Sequence, residues 1–461
     1  MTGPPRWRLS SRTLARARAE VLPDYDRSGV PVIAHLGFGA FARAHVAVYA
    51  DDLLRRGRPA LIRGVSIRSH RAQDQLEPQN GLFTVAVREP GVDVSLQVVG
   101  SVVSMATGPA AALEAMAAPT TRLVTLTITE KGYDVETGES APSSAPVLIA
   151  RALAQRRRAG LPPPVFAPLD NLLDNGSILR ARVMEVALGI DASLAEWIGD
   201  EVSFPGSVVD RMVPAPTAQD LENVADGLGL TDRAAVSAEN HRSWVIRGLD
   251  ELAPLAEVGV DLVDDVAPYE RRKLWLLNGP HSAVAYGGLL AGHATIAQAV
   301  ADPVIARFAR RLVDETLEVA EFPAALQAAS FAEQALRRFA NAALGHTCAQ
   351  VGEDGSVKLP QRLLPVVAAR QARGLGTDGF ARVVAVWIAA TAGLETRGVR
   401  LPRLEDPMAG ALRAIASRRT DLHPLSRVAL GTHADAAFVN EVAAALGRLA
   451  AEGLPTLEVP A

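Results

Sequence analysis

The chain has 461 residues, 49% of them hydrophobic and 21% charged, with a formal net charge of −4. That length predicts two or three domains rather than one core, and the nearly balanced charge gives no footprint for nucleic acid or an anionic membrane surface. The single cysteine, Cys348, excludes an intrachain disulfide framework and a multi-cysteine zinc site, and fits a reducing, cytoplasmic compartment.

Residues 1–30 carry arginines but no apolar segment of the kind a secretory signal needs. No run in the chain approaches the roughly 20 apolar residues that cross a bilayer. The Arg-rich, acid-poor start shares its composition with organelle transit peptides; a short basic arm leading into a helix is the plainer reading. From Pro31 onward PVIAHLG and LIRGVSI read as short buried strands, with FARAHVAVYADDLLRRG between them as one helix. This is a β-α-β unit whose two-sided apolar strands suit a parallel sheet. LFTVAVRE and VDVSLQVVGSVVSMA follow as strands, with a hairpin around Pro90-Gly91. RLVTLTITEKGY is another strand, then come the helix PVLIARALAQRRRAG and the strand VFAPLDN, which ends in polar residues. The alternation predicts an α/β, doubly wound domain over 31–265. Beyond Asp265 helical patterns take over, from YERRKLWLLN to DAAFVNEVAAALGRLAAEG, so a mainly α-helical domain is expected over 266–461.

Gly37-Phe38-Gly39-Ala40-Phe41-Ala42 follows the first strand and opens a helix, in the form G-x-G-x-x-A. The first glycine allows the tight turn, and the second lets backbone N–H groups approach a pyrophosphate at the helix start. Gly37, Phe38, Gly39, Ala40 and Phe41 are therefore candidate cofactor-binding residues, against the plainer reading of an ordinary β-α turn. An NAD site usually has an acidic residue at the end of the second strand, to hold the ribose diol. Here Arg68-Ser69-His70-Arg71 stands there. These residues either accept a 2′-phosphate or are solvated loop charges, which leaves NAD and NADP both open.

Lys273, Asn278 and His281 place a base, an amide and an imidazole within nine residues. Alcohol oxidation by a nicotinamide without metal needs groups that take a proton and steady a developing alkoxide. On a continuous helix, steps of five and three residues hold all three within about a 140° arc. Pro280 either breaks that helix or begins a new one, and Lys273 is otherwise a surface charge beside Arg271 and Arg272. Two further polar segments, Asp170-Asn171-Leu172-Leu173-Asp174-Asn175-Gly176 and Phe204-Pro205-Gly206-Ser207-Val208-Val209-Asp210-Arg211, read as strand-end sites or as turns. The histidines are dispersed without metal-ligand spacing, and nothing supplies a third member for a nucleophilic pair of His346 and Cys348.

These segments, in this order, resemble the polyol-specific long-chain dehydrogenases, a family that includes mannitol 2-dehydrogenase and fructuronate reductase (D-mannonate oxidoreductase). The matching stretches run from HLGFGAFARAHVAVYADDL through TLTITEKGY, DNLLDNG, SFPGSVVDRMVP and the long segment around LWLLNGPHSAVAYGG to RFANAALGHTCAQVGEDGSVKLPQRLLP, about Pro31 to Pro365. The resemblance implies a zinc-independent, NAD- or NADP-dependent dehydrogenase with a Rossmann-like first domain and a helical substrate domain. By position it makes Lys273 the catalytic base and Asn171 and Asn278 the paired amides that hold the reacting oxygen. His281, Asp210 and Lys358 correspond to substrate-binding residues. Gln350 stands where mannitol dehydrogenases tend to carry arginine, and with KLPQRLLP it points to the fructuronate reductase branch. The substrate expected is a sugar acid or polyol oxidised at C2, of fructuronate/D-mannonate type, with mannitol/fructose or arabinitol/xylulose as the alternative and a monomer or weak oligomer as the assembly. A dinucleotide-binding redox sensor is the non-enzymatic alternative; it would need only the first domain.

Overall fold

The computed structural model describes residues 6–128, 130–133, 144–396, 399–417, 422–453 and 457. It divides into two compact units, Met1–Ala267 and Pro268–Ala461. The strands of the first unit are β1 (Ile33–Leu36), β2 (Ile62–Ser66), β3 (Phe83–Val87), β4 (Ser95–Val99), β5 (Val102–Thr107), β6 (Leu123–Leu126), β7 (Val165–Pro168), β8 (Ser207–Asp210), β9 (Val236–Ala238), β10 (Ser243–Arg247) and β11 (Asp261–Val263). A five-stranded sheet has the order β5-β2-β1-β6-β7, parallel at every pairing. The chain builds outward from β1 to β5, then returns to add β6 and β7 on the other side. Its direction therefore reverses between β1 and β6, and in open sheets ligands bind outside the carboxyl ends of strands at such a point.

Both faces of this sheet are covered, as the continuous apolar strands require. On one face Ile33 and Ile62 pack with Val46, Tyr49 and Leu53 of the helix Val46–Arg55. On the other, Leu36, Val65, Val124 and Phe166 pack with Leu148, Ile149 and Leu153 of Ala145–Arg158 and with Leu179 and Val183 of Asn175–Ile190. The stretch read as strand over 92–106 is two elements. β4 pairs antiparallel with β3, as a hairpin at Pro90-Gly91 predicts, whereas β5 joins the parallel sheet beside β2. A third sheet, β11-β10-β8, carries Asp210 at the end of β8.

Two expectations are corrected here. The arm leads into no α-helix; its one helical turn is Leu14–Arg16, and residues 1–5 lie outside the described residues. The reason is competition for backbone hydrogen bonds. Leu9 and Arg18 donate to Thr231 O and Leu228 O at 2.9 Å, and Val98 donates to Val21 O at 2.8 Å. Leu9 itself is fully buried with Leu82, Val98 and Leu228. The second correction concerns the helix after the glycine turn, which is two helices, Ala40–Ala44 and Val46–Arg55, broken at His45 (φ −120°, ψ −89°).

Among the described residues the second unit is mainly helical, with the short antiparallel pair Glu395–Thr396 and Val399–Arg400 as its strands. Its centre is Gly279–Ala291, buried from Gly279 to Leu290. Such a helix must be packed all round. Gly288 makes this possible, since a Cβ there would lie 2.6 Å from Cys348 Sγ and 2.7 Å from Ala299 Cβ. Asp378–Ala392, buried from Gly379 to Ala392, is the other central helix. No helix among the described residues is long and apolar enough to cross a membrane.

Candidate active site

The glycine turn sits at the carboxyl end of β1. Gly37 has φ +86°, and a Cβ on it would lie 2.1 Å from Thr127 O, so only glycine fits. Its N–H donates to Val65 O at 2.8 Å, and Thr127 Oγ1 donates to Gly37 O at 2.8 Å, which ties the turn to β2 and to the residue after β6. Behind it His35 lies between Thr125 Oγ1 (2.8 Å) and Thr127 Oγ1 (2.9 Å), and burial pushes its pKa down to about 3, so the ring is neutral. Gly39 faces open space, with no neighbour closer than 3.8 Å to an added Cβ. The N–H groups of Ala40 and Phe41, in the first turn of the helix that follows, have no intrahelical acceptor. An open glycine beside outward amide donors fits the pyrophosphate of a dinucleotide. Phe38 does a different job from the one expected of a contact residue. It is 1% exposed and packs under the turn against Gly64, where a Cβ would meet its ring at 3.0 Å.

The break at His45 is built by polar groups that sequence reading did not single out. His45 is fully buried, its Nε2–H donates to Ser243 O at 3.0 Å, and its ring stacks on Phe41 at 5.0 Å. Arg211, buried behind Asp210, donates to Ala44 O, the last residue of the short helix, and to Glu239 O at 3.0 Å. A continuing helix would use the Ala44 carbonyl as acceptor for the Val48 N–H, which goes instead to His45 O at 3.0 Å. Arg68 and Ser69 are exposed just past β2, and Ser69 Oγ accepts from the N–H of Arg71 at 3.2 Å.

The two polar strand-end segments are locked to each other. Asn175 donates to Asp170 O and Ser207 O, both at 2.9 Å, and accepts from the Ser207 N–H at 3.0 Å. Asp170 accepts from the Ile128 N–H (2.6 Å) and from the Tyr133 hydroxyl (2.5 Å). These groups are structural. They leave Asn171 exposed just past the end of β7. Asp210, 9% exposed, faces His241 Nε2 at 3.5 Å.

In the second unit Pro280 lies in the first turn of the helix Gly279–Ala291, with Asn278 at its cap position, as the reading of a proline that begins a new helix expected. The helix Ala267–Lys273 passes through a wide, π-type turn, Leu274–Asn278, into Gly279–Ala291. Gly279 N–H donates five residues back to Leu274 O. Hydrogen bonding from i to i+5 widens the turn beyond 3.6 residues, so residue 278 comes round closer to the side of residue 273 than it would in a regular helix. The 140° spread expected of a regular helix is thereby narrowed. Lys273 is half-buried rather than a solvated charge, Asn278 is 7% exposed and His281 8%.

His281 is held by its rings. It stacks on Phe339 (4.5 Å, 12°) and meets His346 edge-on at 5.3 Å. Burial, with the nearby charge of Lys358 adding to it, holds the His346 imidazole below its ordinary pKa. Lys358 Nζ donates to Glu353 O at 2.6 Å. Gln350 is exposed and closes a capping box with Thr347, accepting at 3.4 Å and donating at 3.2 Å. Cys348 is buried and its thiol pushed up to about 12 by burial, so it is an inert proton-bearing thiol. Sequence reading missed Phe339, Ser282 and Arg362, and weighed His346 only beside Cys348. Only Arg362 carried a signal, lying one helical turn after Lys358.

Residues 31–255 match the family model described as the mannitol dehydrogenase Rossmann domain, and 265–450 that of the mannitol dehydrogenase C-terminal domain. The chain is 36% identical over 416 residues to D-mannonate oxidoreductase of Escherichia coli, covering 84% of this chain and 85% of that one. It is 33% identical over 409 residues to mannitol 2-dehydrogenase of Cereibacter sphaeroides, covering 83% and 85%. The ternary complex of Pseudomonas fluorescens mannitol 2-dehydrogenase with NAD and D-mannitol superposes with a TM-score of 0.88 at 30% identity, over 98% of both chains.

Proposed function

We propose, for a chain that belongs to the mannitol dehydrogenase family of oxidoreductases, that it interconverts a C2 secondary alcohol and its ketone with NAD or NADP, on a sugar acid of fructuronate/D-mannonate type. The observation that supports this reading is the wide turn Leu274–Asn278, which narrows the angular separation that a regular helix would put between the Lys273 amine and the Asn278 amide. A dinucleotide held by its pyrophosphate at the glycine turn would supply the hydride acceptor, its nicotinamide ring. Gly39 and the N–H groups of Ala40 and Phe41 hold its pyrophosphate, Gly37 and Phe38 shape the turn, and Arg68 and Ser69 lie at the ribose end.

In the oxidative direction the neutral Nζ of Lys273 takes the hydroxyl proton while the C2 hydrogen departs as hydride. One C–H and one O–H bond break; the C=O bond and an N–H bond on the lysine form, and the hydride would carry its two electrons into a new C–H bond on the nicotinamide ring. The Asn278 amide donates to the oxygen as its charge grows, with Asn171 assigned the companion amide role; donors of this kind act chiefly on the transition state. In reduction the protonated lysine returns the proton. His281 and Lys358 are assigned to substrate hydroxyl or carboxylate groups, and Asp210 carries a substrate-binding role by the family resemblance. The base and amide donors of this proposal need no metal.

A panel of aldonates and polyols, run with NAD and NADP and followed at the nicotinamide absorbance band, tests the reading. D-mannonate is expected to give the highest kcat/KM. Preference for mannitol or arabinitol would move the substrate class to polyols, and cofactor binding without turnover of any of them would make the protein a sensor.

A further inference from the structure

We propose that Arg362 and Ser282 are positioning residues that clamp the wide turn and so keep Asn278 in register with Lys273; this rests on the roles assigned to those two residues above. In a regular α-helix residues five apart are rotated by about 140°, which would turn the amide away from the amine. The wide turn cuts that rotation to roughly 50°, and such turns persist only where the surroundings favour them over a regular helix.

Three features of this chain do so. Pro280 has no N–H, and in α register its ring would strike the carbonyl of Leu276. Ser282 Oγ donates to Asn278 O at 3.1 Å, which fixes the backbone of the amide-bearing residue. That hydroxyl has a single proton, so toward Arg362 it accepts, from Nη1 at 2.9 Å. Arg362 is 8% exposed and Ser282 1%, so water does not substitute for either partner. The carbonyl of Arg362 also lies against Gly279, 3.3 Å from where a Cβ would stand, with Leu363 Cδ2 at 3.3 Å on the same residue. The helix Gly355–Arg362 thus presses on the turn through its backbone and ties it through its last side chain. The two residues are 80 positions apart, so the clamp belongs to the tertiary fold and not to the helix it holds.

The test is single-turnover hydride transfer in the full-length protein, with the substrate the panel identifies, for Ser282→Ala, Arg362→Met and Arg362→Lys. The rate constant reports alignment, and the amplitude reports the folded fraction. We expect the rate constant to fall about 10-fold or more in Ser282→Ala and Arg362→Met, with cofactor affinity within about two-fold of the parent, and Arg362→Lys to recover most of it. A reduced amplitude with an unchanged rate constant, in Ser282→Ala above all, overturns the proposal. Lys273→Ala is run alongside. Full activity there removes the base assignment and the clamp with it, whereas an inactive Lys273→Ala beside a fully active Ser282→Ala overturns the clamp alone.

Discussion

Asn278 has one amide, and its position decides whether that amide serves the ground state or the transition state. It is nearly buried, and its backbone carbonyl is fixed by Ser282, so little reorganisation accompanies charge development on the substrate oxygen. Asn278→Ala is therefore expected to lower kcat by about 10²–10³-fold with KM nearly unchanged. Steady-state kinetics decides: an effect confined to KM would make the residue a ground-state contact. At this scale the sequence showed which residue types belonged together, and the family resemblance supplied their roles. Their geometry was only partly legible: a helix start at Pro280 was one of two readings, and the wide turn before it was in neither. Nothing in Lys273-Leu274-Trp275-Leu276-Leu277-Asn278 marks a wide turn except the proline that follows, and a proline alone is equally consistent with a break. Phe38 illustrates the converse case. It occupies a motif position, yet its side chain supports the turn from beneath instead of facing a ligand.

At the scale of elements, two connections position the candidate site in the first unit: the glycine turn after β1 and the loop after β7. The second depends on Gly176, where an added Cβ would lie 2.5 Å from Gly206 N and 2.6 Å from Phe204 O. These are backbone atoms and cannot rotate aside, so Gly176→Ala must push the segments around Asn175 and Ser207 apart. A loss of roughly 1–3 kcal/mol is expected, of the size overpacking usually costs, visible as a lowered midpoint in urea. An unchanged midpoint would mean that the two segments part without cost. The strands were legible because they are apolar on both faces and punctuated by Gly and Pro. The break at His45 was not, because the apolar pattern runs through it unbroken; what ends the helix is the carbonyl of Ser243 and the guanidinium of Arg211, about 166 to 198 residues away in sequence. The arm was misread for the same reason, since its partners lie near residues 97 and 230.

For the whole molecule, alternation of strand and helix followed by helix alone announced the two architectures. Burial of specific polar groups was not announced, and it carries a pH dependence. His35 and His45 are both held neutral by burial, with pKa values near about 3, against about 6.5 in an unfolded chain. The unfolded state therefore binds more protons below pH 6.5. Stability from these groups is complete above that value and is lost as pH falls toward 3, on the order of 2 kcal/mol each by pH 5. Asp51 and Asp232, raised by burial, act with the opposite sign as they titrate. The comparison that isolates the histidine effect is the slope of unfolding free energy between pH 6.5 and 5 in the parent and in His45→Gln. A shallower slope in the variant is expected; equal slopes would mean that His45 is protonated in the folded chain.

The most direct measurement on the proposed chemistry pairs hydride transfer with cofactor binding in Lys273→Met. Single-turnover rates at saturating cofactor should fall by roughly 10²–10⁴-fold, while a nicotinamide fluorescence titration of the same samples gives a Kd close to that of the parent. Hydride transfer at the parental rate would show that the proton goes elsewhere than to Lys273.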